Sequence, residues 1–74
     1  MASEDRAIII KPFLRDLKIL LTEASGLASI GSSLSEDGAT EEALQKIFDM
    51  EPLLHDARTL LNAAVLQYRR ETER

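Results

Sequence analysis

The sequence predicts an all-α fold: an antiparallel helical hairpin that dimerises into a four-helix bundle. Three observations lead there. Apolar residues recur in alternating steps of three and four along two separate stretches, and only a helix gathers that spacing onto one face. A polar segment over residues 31–40, bounded by Gly31 and containing Gly38, separates the stretches and reads as a loop. Finally, the chain has only 74 residues and no cysteine. A lone hairpin of that size has a thin core and no disulfide or thiolate metal site to staple it, so self-association is the expected remedy.

The elements follow in order. Ser3 is a good N-cap, with Glu4 and Asp5 in the favourable first turn. Pro12 lacks an N–H and either kinks a first helix spanning about residues 4–30 or starts one spanning about 12–30. The apolar register through Ile10, Phe13, Leu17, Leu20, Ala24 and Leu27 crosses the proline unbroken, which favours the kink. Gly31 is expected to close this helix in the left-handed conformation. Thr40 then caps a second helix over about residues 41–71, with Glu41 and Glu42 in its first turn. Its stripe reads Ala43, Ile47, Met50, Leu54, Ala57, Leu61, Ala64 and Tyr68. Pro52 falls away from that stripe, so one bent helix is expected; a break at Glu51-Pro52, giving three helices, is the alternative. The whole chain forms one domain, and the expected core is Phe13, Leu17, Leu20, Leu27, Ile47, Leu54 and Leu61.

Beside this seam lie further apolar rows. Leu14 and Leu21 on the first helix and Leu53 and Leu60 on the second widen the apolar arc beyond what one hairpin covers. These four are the expected homodimer interface. Ala24, Ser25, Gly26, Ala28, Ser29 and Gly31 are small residues that either fray toward the loop or permit a tight helix crossing.

Composition fits a soluble, cytoplasmic, acidic protein. Apolar residues make up 45% and charged residues 30%, in the range of a folded helical domain. No apolar run nears the roughly 20 residues a bilayer requires, so no membrane span is expected. The net charge is −4, and the bases Lys11, Arg15 and Lys18 are mixed with Asp16 and Glu23. Direct nucleic-acid binding, which needs a concentrated basic face, is not expected.

Catalytic chemistry has little to work with. His55 is the only histidine, placed with Glu51 and Arg58 as a possible edge network. One histidine without cysteine makes no typical zinc site, and no glycine-rich phosphate loop is present. Neither an enzyme nor a cofactor is expected. The leading function is a small protein-binding module acting as a regulator, adaptor or inhibitor through an apolar helical face. Candidate partner-binding residues are Phe48, Leu66, Ile19 and Ile30, which neither the seam nor the dimer rows use, with Arg69 and Arg70 next. In architecture the chain resembles helical-hairpin regulators such as bacterial anti-activators, secretion co-chaperones and phage-encoded host inhibitors, though no motif selects among them. The alternatives are an oligomer that sequesters a small molecule such as a nucleotide, held between protomers by residues such as Arg58, His55 and Tyr68, and a structural subunit that polymerises through its hairpin.

Overall fold

The computed structural model describes the backbone of residues 3–72 and the side chains of residues 8–70. Two helices, α1 (Ser3–Glu36) and α2 (Thr40–Thr72), pack lengthwise as an antiparallel hairpin. The expected cap formed by the Ser3 side chain lies outside the described residues. Both prolines sit inside continuous helices, so neither the later start at Pro12 nor the break at Pro52 occurs. Pro12 and Pro52 are exposed. Each lies on the outer side of its helix, where water can reach a carbonyl left without its helical donor.

The first helix runs well past Gly31 and stops at a connection of only three residues, 37–39, instead of the expected loop over 31–40. Gly38 supplies the left-handed conformation, with φ of +83°. The Ala39 N–H donates to the Leu34 carbonyl at 2.9 Å and the Gly38 N–H to the Ser35 carbonyl at 3.1 Å. Together these form a complete Schellman stop, which ties off the last carbonyls of α1. The Ala39 carbonyl accepts from the Ala43 N–H at 3.0 Å. Ala39, rather than Thr40, therefore holds the cap position of α2, and Thr40 opens its first turn.

Gly31 has another task. A Cβ placed there would lie 3.3 Å from the Lys46 Cβ and 3.7 Å from the Ala43 carbonyl oxygen. The small residue admits α2 to close approach at the loop end, so the tight-crossing reading of this segment holds at Gly31. Counting away from this level in opposite directions sets Leu27 against Met50, Ala24 against Leu53, Leu20 against Ala57, Leu17 against Leu60 and Phe13 against Ala64. Bulky residues on one helix mostly meet alanines on the other, which lets the two backbones run close along the seam.

This register corrects half of the expected core. Phe13, Leu17, Leu20 and Leu27 are half-buried in the seam, as are Leu53 and Leu60 of α2. By contrast Ile47, Leu54 and Leu61 face outward, 60%, 45% and 48% exposed. Likewise Ile9 takes the inward place assigned to Ile10. In α2 the row of Ala43, Met50, Ala57 and Ala64 is common to both phases. The row beside it could be Lys46-Leu53-Leu60-Gln67 or Ile47-Leu54-Leu61-Tyr68, and hydropathy favours the second. The structure takes the first, because the apolar stems of Lys46 and Gln67 can cover the seam while their polar ends reach water.

The resulting core is thin. Among the described residues only Ala24, Ala43 and Ala57 are buried, and no large side chain is fully buried. The hairpin is a rod of 54 × 18 × 13 Å with a Cα radius of gyration of 16.9 Å. A compact chain of this length would measure about 11 Å.

Candidate docking face

In an antiparallel pair, the rows flanking the seam on one side come from equivalent helical positions of both helices. On one side of this hairpin those rows are Leu14, Leu21 and Ala28 from α1 and Ile47, Leu54, Leu61 and Tyr68 from α2. The register pairs Leu14 with Leu61, Leu21 with Leu54 and Ala28 with Ile47 at matching heights. All seven are exposed; Leu14 is open to 59% and Leu21 to 48%. Leu44, also exposed, extends this face outward at the loop end. The opposite side has another character. There Asp16, Glu23 and Ile30 of α1 run beside Glu42, Asp49, Asp56, Ala63 and Arg70 of α2, all exposed, and the Gln45 Nε2 donates to the Asp49 carboxylate at 3.2 Å. One side of the rod is apolar, and the other is mainly acidic, with Ile30 and Arg70 at its two ends.

The apolar side is not flat. At its loop end a groove of about 430 Å³ opens among Leu27, Ala28, Gly31, Ala43, Leu44 and Ile47, with Ser32, Ser35 and Thr40 on its margin. Its floor follows from the close approach at Gly31, and its width from the small residues that continue the α1 row beyond Leu21. Toward the open end of the hairpin, Leu61 and Tyr68 are exposed on the same face, and a smaller hollow of about 280 Å³ opens beside Leu14 among Ile8, Ile10 and Lys11.

The expected interface residues are thus divided. Leu14 and Leu21 lie on the apolar face, whereas Leu53 and Leu60 lie in the hairpin's own seam and leave their place to Leu54 and Leu61. The face was hidden in the sequence because its α2 row had been assigned to the core. Opposing Gly31 to Lys46 is the signal that selects the correct phase.

The expected partner-binding residues are also dispersed. Phe48 and Leu66 are exposed at the same helical azimuth, but their separation of 18 residues places them about 27 Å apart along α2. They form no common patch. Phe48 lies one turn after Leu44 on the outer surface of α2 and does not line the groove. Ile19 and Ile30 are exposed on the back of α1, about 16 Å apart at 1.5 Å per residue, among polar neighbours. Isolated apolar side chains of that kind are ordinary on protein surfaces. Arg69 and Arg70 are exposed in the last turn of α2, where basic side chains complement the helix dipole.

Glu51, His55 and Arg58 are all exposed, and no hydrogen bond joins their side chains; the His55 carbonyl accepts from the Thr59 hydroxyl at 3.1 Å. Arg58 and Tyr68 are ten residues apart, about 15 Å along the helix, and neither lines the groove. Within one hairpin His55, Arg58 and Tyr68 therefore do not converge. Among the described residues no cluster of three or more His, Asp or Glu could hold a metal ion, and no helix is long and apolar enough to cross a membrane. The chain matches no protein-family model, and neither the curated proteins nor the solved structures contain a significant match to it.

Proposed function

We propose that the protein is a non-enzymatic interaction module that acts as a regulator, adaptor or inhibitor by docking its apolar face against helices. The supporting observation is the two-sidedness of the rod. Seven side chains from two helices are aligned on one side, while at least five carboxylates occupy the other. Aligned apolar rows with a groove at one end match the way amphipathic helices recognise helical partners, through anchors spaced by three and four residues. A contiguous exposed face of this kind is costly in water unless something covers it.

The test compares two variants as affinity baits in extracts of the native host. Leu54→Glu puts a charge in the middle of the apolar face, and Glu23→Gln alters only the acidic side. The expected result is that proteins captured by the wild type are lost with Leu54→Glu and retained with Glu23→Gln, both variants remaining helical. Equal capture by wild type and Leu54→Glu would refute docking through this face.

A further inference from the structure

Resting on the docking role of the apolar face, we infer that its occupant is a second copy of this chain, seated with the two hairpin loops at opposite ends. The area argument comes first. A folded monomer of 8.2 kDa exposes about 4,500 Å² by the usual scaling. This hairpin exposes 5862 Å², about 1,300 Å² more. Covering that excess on both copies buries about 2,600 Å² in total, within the range of obligate homodimers. The shape argument gives the orientation. Each hairpin has its larger groove, about 430 Å³, at its loop end, and exposed side chains including Leu61 and Tyr68 toward its open end, where a smaller hollow of about 280 Å³ opens beside Leu14.

A two-fold axis crossing the rod at the level of Leu21 and Leu54 sets Leu21 against its own copy. It also brings Leu14 of one hairpin over Ala28 of the other. The larger groove of each protomer then receives exposed side chains from the open end of its mate. With the loops together, groove would face groove, leaving a void whose walls lose their packing contacts. The opposed arrangement is isologous and closed, forming a four-helix bundle. The acidic sides of both copies point outward.

The absence of cysteine makes a site-specific spin label simple to install. Asp37 is exposed in the connection, sixteen residues from the axis level. At 1.5 Å per residue that is about 24 Å, so labels on Asp37→Cys in the opposed dimer lie about 48 Å apart. Sedimentation should give a dimeric mass, and double electron–electron resonance should give a distribution centred near that distance. A dimeric mass with a distance under about 25 Å overturns the opposed arrangement. A monomeric mass with intact helicity at micromolar concentration overturns self-association altogether. The docking role survives that last outcome if Leu54→Glu still abolishes capture of other proteins, and fails with it if capture is unaffected. The measurement is made on an otherwise unaltered face, so it does not depend on an interface variant folding.

Discussion

Three glycines in this chain occupy three different physical situations, and replacing each by alanine should have three different effects. A Cβ at Gly26 meets nothing within 4 Å, and the residue lies inside α1 with ordinary helical φ. Gly26→Ala then changes little beyond helix propensity and unfolded-chain entropy, a gain of about 0.5–1 kcal/mol. For a domain of this size that raises Tm by about 2–8 °C. Gly38 also has open space around its Cβ position, but its φ is +83°. An alanine there is held in the left-handed region at a cost of about 1–2 kcal/mol, lowering Tm by at least about 4 °C. Gly31→Ala has the same propensity advantage as Gly26→Ala. It also drives a methyl group to within 3.3 Å of the Lys46 Cβ, an atom fixed to the backbone of α2 that no rotamer change moves aside. The helices must part at the loop end, and the gain is cancelled or reversed, with Tm at or below that of the wild type. Thermal melts by circular dichroism at one fixed protein concentration read all three, since association makes Tm depend on concentration. Stabilisation by Gly38→Ala, or a Gly31→Ala variant more stable than Gly26→Ala, would refute the assigned turn or the close crossing.

Two further outcomes follow from the register and from the groove. Leu60→Ala, at a half-buried seam position, should cost about 2 kcal/mol in chemical denaturation, while Thr22→Ala on the outer face stays within about 0.5 kcal/mol; equal effects would place the seam elsewhere. Ile47→Ala should leave the chain helical, because Ile47 is 60% exposed, yet weaken partner capture about tenfold, equivalent to about 1.4 kcal/mol, because Ile47 lines the groove; loss of folding or unaltered capture would remove the groove from the docking face.

The hairpin was legible in the sequence because the three-four spacing is carried by many residues at once. Pro12 and Pro52 did not obscure it, since the register continues across both. Where single residues decide, the reading was less secure. Gly31 and Gly38 are both credible helix terminators by type. Only the packing shows that Gly31 is reserved for close approach, leaving the left-handed turn to Gly38. The phase of α2 failed for a related reason. Lys46 and Gln67 count as polar on any residue scale, although their long stems serve the seam, and their exclusion moved Leu54 and Leu61 inward on paper. With that row assigned to the core, the docking face kept only its α1 half, Leu14 and Leu21. Phe48 and Leu66 share an azimuth, but their spacing of 18 residues sets them about 27 Å apart whatever the phase of the helix.

The carboxylates of Asp16, Glu23, Glu42, Asp49 and Asp56 on the reverse of the rod would limit how far the inferred self-association can proceed. A rod apolar on both sides would stack without end, each added copy presenting a fresh adhesive surface to the next. In the inferred dimer the side left outside carries these carboxylates and only scattered apolar side chains such as Ile30 and Leu66, so a further copy finds no second aligned apolar row there. Growth through this face therefore terminates at a finite particle. At low ionic strength that termination is sharpest, because the repulsion between exteriors is then least screened.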